Sequence, residues 1–217
     1  MTGPAFPRKL IYPIGFLCGA EYPEVATEPD GYRLRIGDRD VRLTTYSECL
    51  AWSCAHGASK QEEAEPVAGW SRRDAEDFAR KAAGVNISAI MSRLLSAGVL
   101  EEVLIGSPDA LDFTRRRRLR PLLTVLAHHE DLSKNSAQER EHLFGMLSRS
   151  AIARVAYQLW KHAALYSSLA ALCESLISRG GPLERADWPD CEDLLPLALL
   201  GTQTLLACQG AYLDLAE

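Results

Sequence analysis

Tyr32-Arg33-Leu34-Arg35-Ile36-Gly37-Asp38-Arg39-Asp40-Val41-Arg42-Leu43 decides how the first half of the chain is read. Tyr32, Leu34 and Ile36 alternate with arginines, and Val41 and Leu43 alternate around Arg42 on the far side of Gly37-Asp38. Period two on both sides of a turn dipeptide predicts a β-hairpin with one buried face. Thr45-x-x-Glu48 follows as a capping box, which opens a helix because each residue satisfies an otherwise orphaned N–H of the first turn. That helix carries Tyr46, Cys49, Leu50 and Trp52 and stops at Gly57.

Working downstream, 58–69 is polar, acidic and contains Pro66, as a loop would be. Ser71-x-x-Asp74 starts a second helix with Ala75, Phe78, Ala79 and Ala82 expected inward, ended by Gly84. Asn86 is placed to cap a third, in which Ile87, Ile90, Met91, Leu94 and Leu95 form a complete apolar stripe. Gly98 ends it, and 99–105 has the composition of a strand. A turn at 106–109 and alternation at Leu111-Asp112-Phe113 then suggest a wing. Upstream, 10–12 and 14–17 read as a short strand pair or an extended arm. The order is that of a winged helix-turn-helix over 10–114.

Beyond it stand Arg115 to Arg118, Leu119, Arg120 and Pro121, which fits the first turn of a new helix. From 122 onward the pattern is helical. The longest piece lies between 137 and 178, either continuous or broken near Gly145 or Ser148-Arg149-Ser150, and Ile152, Val155, Leu159, Ala163, Tyr166, Leu169, Leu172 and Leu176 recur in it at three- and four-residue steps before Gly180-Gly181-Pro182. A last helix is expected over 192–213, kinked or begun at Pro196. The fold class is therefore mostly α with a small β component: a winged helix-turn-helix (10–114) and a C-terminal helical domain (121–217).

Composition bounds the function. The 217 residues are 47% hydrophobic and 24% charged, with a net charge of −5, as in a globular protein able to bury a core. The N-terminus lacks the pattern of a signal peptide, and no apolar run approaches the roughly 18 residues of a membrane span. The expected location is the cytoplasm, with the six cysteines at 18, 49, 54, 173, 191 and 208 free and reduced. Phosphate-binding loops, nucleophile elbows and zinc-protease helices are absent from the sequence. His128-His129-Glu130 has the wrong spacing for two ligands on one helix face, and Cys49 and Cys54 do not make a redox pair. No catalytic residue, metal or cofactor is assigned, and the reading leans away from an enzyme.

Leu34 to Gly57, with Ala51-Trp52-Ser53-Cys54-Ala55-His56-Gly57 closing the first helix, and Leu94-Leu95-Ser96-Ala97-Gly98-Val99-Leu100 closing the third, resemble the winged-helix precursor-recognition domains of ribosomal peptide natural-product pathways, the PqqD-like fold. The resemblance covers about a third of the chain. It implies a leader peptide adding as a strand to the hairpin and packing against the third helix. The hairpin offers the exposed edge that strand addition requires.

Charge favours a peptide over DNA. Residues 1 to 105 hold 12 Lys and Arg against 15 Asp and Glu, and the third helix carries a single basic residue, Arg93. A major-groove reader usually presents several basic or amide side chains there. The arginine run has two readings: contact with phosphate or an acidic peptide, or a solvated helix start or linker paired with Asp109 and Asp112. The expectation is a recognition or adaptor subunit that binds a leader peptide and an enzyme partner, with Arg33, Arg35, Arg93, Arg116, Arg118, Trp160 and Tyr166 as contacts. The alternative is a DNA-binding regulator that forms a homodimer through its C-terminal helices.

Overall fold

The computed structural model describes residues 9–24, 27–57, 69–122, 151–178 and 191–217. It is a mixed α/β structure. Strands β1 (Lys9–Pro13) and β2 (Phe16–Glu21) open it, followed by the hairpin β3 (Gly31–Ile36) and β4 (Arg39–Leu43). The hairpin register, Ile36↔Arg39 to Tyr32↔Leu43, is the one the alternation predicts. Gly37 takes φ +60 at the first turn position, which a non-glycine residue adopts only at a cost.

β1 and β2 do not pair with each other. β2 joins the hairpin as a β2-β3-β4 sheet, whereas β1 pairs antiparallel with β5 (Leu100–Leu104, after the helices described next), from Lys9↔Leu104 to Pro13↔Leu100. Gly15 makes the passage between sheets possible. At φ +96, an added Cβ would lie 2.6 Å from Ile36 Cγ1 and 2.8 Å from the Arg35 carbonyl oxygen.

Among the described residues, three helices lie between β4 and β5. α1 (Tyr46–Cys54) and α2 (Arg72–Ala83) start at the capping boxes of Thr45 with Glu48 and Ser71 with Asp74. α2 ends at left-handed Gly84, and α3 (Ser88–Ser96) begins where the Asn86 side chain accepts from the Ser88 N–H at 3.1 Å. On α3, Ile87, Met91 and Leu94 are buried and Ile90 and Leu95 half-buried. On α2 only Ala75 and Ala79 are buried, so two expected inward residues, Phe78 and Ala82, are exposed.

The structure departs from the expected wing. Pro108–Arg116 is a helix, α4, with Pro108 in its first turn and Ala110, Phe113 and Thr114 buried at helical spacing. The arginine run does not open a helix at Pro121. Arg117–Pro121 is strand β6, with Arg117 and Leu119 buried and Arg118 and Arg120 on the other face. Pro121 closes the strand, where its missing N–H costs little.

The expected long helix is divided. α5 (Ala151–His162) runs into a 3-10 turn (Ala163–Leu165), and α6 (Leu169–Ile177) begins anew where Ser168 Oγ accepts from the Ala171 N–H. α7 (Cys191–Ala207) contains Pro196 rather than starting there. It stops well short of 213, because Ala211–Leu215 is strand β7, antiparallel to β6. The expected loop at 58–68, helical stretch at 123–150 and glycine stop at 180–182 lie outside the described residues.

One hydrophobic core runs from Leu10 to Leu213 across the expected domain boundary. Buried polar contacts join the same segments. Tyr12 donates to the Leu199 carbonyl at 3.1 Å. Gln203 accepts from the Trp70 N–H at 3.0 Å and donates to the carbonyls of Ile11 at 3.0 Å and Trp70 at 2.7 Å.

Candidate functional site

The two-residue turn fixes which backbone groups of β4 are spoken for. Ile36 and Arg39 close the hairpin as a bonded pair, so the N–H and C=O of Arg39, Val41 and Leu43 face β3. Those of Asp40 and Arg42 face away, and among the described residues no strand pairs with β4 on that side. Arg42 is held in place by Glu21 at 3.2 Å and by the Asp30 carboxylate. Arg33, Arg35, Arg39 and Asp40 form no ion pair among the described residues; Arg35 lies over the Phe16 ring, 6.0 Å from its centroid.

At the Leu43 end of the sheet is a group of tyrosines. Ala20, Tyr32 and Leu43 are cross-strand neighbours, so they share the core-facing side of the sheet at one end. Tyr46 opens α1, with its ring 6.5 Å from that of Tyr32. Tyr22 and Tyr46 are 62% and 65% exposed, an unusual state for large aromatic side chains placed together. Burial and the neighbouring Cys49, Tyr22 and Tyr46 push the Tyr32 hydroxyl pKa up.

Glu48 ties the strand end to the helices. Its carboxylate accepts from the N–H groups of Thr44 and Thr45 and the Thr44 hydroxyl, and it meets Arg93 of α3 at 2.6 Å. Burial alone would raise its pKa, but these hydrogen bonds and the Arg93 charge outweigh it and hold the carboxyl below its ordinary value. The one basic side chain of α3 is therefore already engaged. The hydroxyls of Ser92 and Ser96 donate back into their own helix, and Arg72 spans Ser88 and Ser92.

The arginine run does not open a helix, and of the two aspartates expected beside it, Asp112 is the one that is met. Arg115 faces Asp112 at 3.6 Å. Arg116 and Arg117 converge on Glu101 of β5 at 2.6 and 2.7 Å. Arg118 pairs with Glu217 at 2.7 Å and donates to the Ala164 carbonyl; Arg120 pairs with Asp214 and Glu217. Asp214 in turn accepts from the N–H of Gly37 at the hairpin turn. These pairs fasten β6 to β5, and the C-terminal strand to β6 and to the turn that carries β4. Ions held this way contribute modest net stability, because desolvation offsets their attraction.

The seven residues expected to bind do not gather in one place. Arg33 and Arg35 lie on the outer face of the three-stranded sheet. Arg93 is on α3, and Arg116 and Arg118 are in the network. Trp160 and Tyr166 are half-buried against the core of the helical part, Tyr166 touching Ser175. The residues that sequence reasoning passes over are Asp40, Val41 and Arg42, with Tyr22, Tyr32 and Tyr46. Their signal is the alternation of Arg39 to Leu43, which marks a strand but not an edge.

Cys49 and Cys54 are free and buried, with burial pushing both thiols up. Among the described residues no group of His, Cys, Asp and Glu could hold a metal ion, and no helix is long and apolar enough to cross a membrane. His128, His129 and Glu130 lie outside those residues. Comparison with protein-family models, with curated proteins and with solved structures finds no match for this chain.

Proposed function

We propose that the chain is a non-catalytic recognition subunit that takes a peptide as an added strand on the open side of β4. The observation that carries this reading is the pair of outward backbone positions, Asp40 and Arg42, with the exposed Tyr46 just beyond the end of the strand. Main-chain hydrogen bonds supply affinity in such complexes and flanking pockets supply selectivity. Residues 10–114 are read as a variant winged helix in which α2 and α3 are the helix-turn-helix and α4 replaces a wing strand. The resemblance to precursor-recognition domains makes a leader peptide, presented to an enzyme partner, the first natural ligand to test. A DNA-reading role draws less support, because Arg93 is bound to Glu48 and the rest of α3's polar face is serine.

Asp40→Pro tests the reading. Its N–H faces away from β3, and proline is tolerated at such edge positions. Peptides would be selected from a random display library on the full chain and remeasured on the variant. Stability is expected to change by less than about 1 kcal/mol, as at most surface sites. Affinity should fall about tenfold or more, since a donor is removed and a ring enters the contact, a loss of roughly 1.4 kcal/mol. Equal affinity for both proteins would remove β4 as the binding edge.

A further inference from the structure

Unprotected edge strands pair with whatever strand fits, and proteins usually blunt them with charge. β4 carries charge at Arg39, Asp40 and Arg42, yet its pattern is complementary to itself. Consider a second copy lying antiparallel to the first, with outward backbone groups of each facing the other. Three of the registers that bring residues of this parity together are centred on residue 40, 41 or 42. Centred on 40, Asp40 meets Asp40 of the second copy. Centred on 42, Arg42 meets Arg42. Centred on 41, each Asp40 meets the Arg42 of the other copy, and Val41 meets Val41 on the core-facing side.

We infer that the chain forms a two-fold dimer by continuing its sheet through β4, in the register Asp40 opposite Arg42 of the second copy. Asp40 has no ion-pair partner among the described residues, so the contact gives an unpaired carboxylate its counter-charge. Arg42 lies across Gly31 against Glu21 and Asp30, and its guanidinium has donors left over for the Asp40 of the second copy. Val41 is half-buried and would lose its remaining exposure against its own copy. The inference does not depend on the peptide reading. If both hold, the occupants compete for one edge, and a bound peptide dissociates the dimer.

A charge swap tests it on the full chain by sedimentation equilibrium. Asp40→Arg places arginine opposite arginine, and Arg42→Asp places aspartate opposite aspartate. Each variant alone should dimerise about tenfold or more weakly than the parent, because two opposite-charge pairs become like-charge pairs. An equimolar mixture should recover dimer, since the two arginines at positions 40 and 42 of one variant then face the two aspartates at positions 42 and 40 of the other. A parent chain that stays monomeric at every concentration overturns the proposal. So does a dimer that neither variant weakens, or two weakened variants whose mixture does not recover. Should Arg42→Asp not fold, Val41→Cys in a Cys18→Ser, Cys208→Ser background tests the same register. The two-fold brings the new thiols together, and oxidation should cross-link the dimer; failure to cross-link rejects the register. Either rejection leaves peptide binding to be judged on Asp40→Pro alone.

Discussion

Gln203→Ala is expected to destabilise the chain by roughly 3–5 kcal/mol. The substitution leaves the Trp70 N–H and the Ile11 carbonyl without their partner, and orphaned buried groups cost about 1–3 kcal/mol each. It also opens a cavity beneath β1. Gln203→Glu keeps the volume and one acceptor for Trp70 but turns an oxygen toward the Ile11 and Trp70 carbonyls. It should be comparably destabilising, which separates the hydrogen bonds from the packing. Denaturant unfolding gives both numbers. Because Gln203 joins α7 to β1 and to the start of α2, the wild-type transition should be single. A loss below about 1 kcal/mol would mean that this amide does not hold the two parts of the chain together.

Phe113→Ala should cost roughly 3–5 kcal/mol, the usual range for a buried aromatic side chain. Phe113 is fully buried, 4.8 Å from the Tyr12 ring. Leu111→Ala should cost less than about 1 kcal/mol, because Leu111 is 39% exposed. The contrast discriminates between structures. On a wing strand, residues 111 and 113 would share one face and respond alike; on α4 they point in different directions. Similar losses at both positions, measured by thermal unfolding, would restore the wing.

The wing and the true helix differ in ways that short stretches of sequence do not carry. Signals spanning three or four residues hold: the capping boxes at Thr45 and Ser71, the stops at Gly84 and Gly98, and the turn at Gly37. Each is a local backbone requirement that one residue type satisfies. Pairings over long separations are not legible. β1 finds β5, and β6 finds β7, across long stretches of chain, and nothing in Leu10 to Pro13 names its partner. Leu111-Asp112-Phe113 fits period two as well as one helical turn, and only Pro108 in a first-turn position favours the helix. The stripe from Ile152 to Leu176 packs inward as expected, but Ser168 offers a cap that divides it.

The site shows the same division. A hairpin implies an edge, but only the sheet order shows that β3 is central and that β2 and β4 are the edges. The arginines look free in the sequence because their partners, Glu101, Asp214 and Glu217, are distant along the chain. Once paired, they explain how the C-terminal strand reaches the Gly37 turn and steadies the hairpin.

Amide hydrogen exchange along β4 tests the central claim most directly. The full chain would be measured dilute, free and with a selected peptide. The amides of Val41 and Leu43 should exchange slowly in both states, since β3 accepts their hydrogen bonds. Those of Asp40 and Arg42 should exchange fast when free and become slow when the peptide binds. If peptide binds while Asp40 and Arg42 remain fast, and protection appears instead along α3 or the arginine network, strand addition at β4 is contradicted.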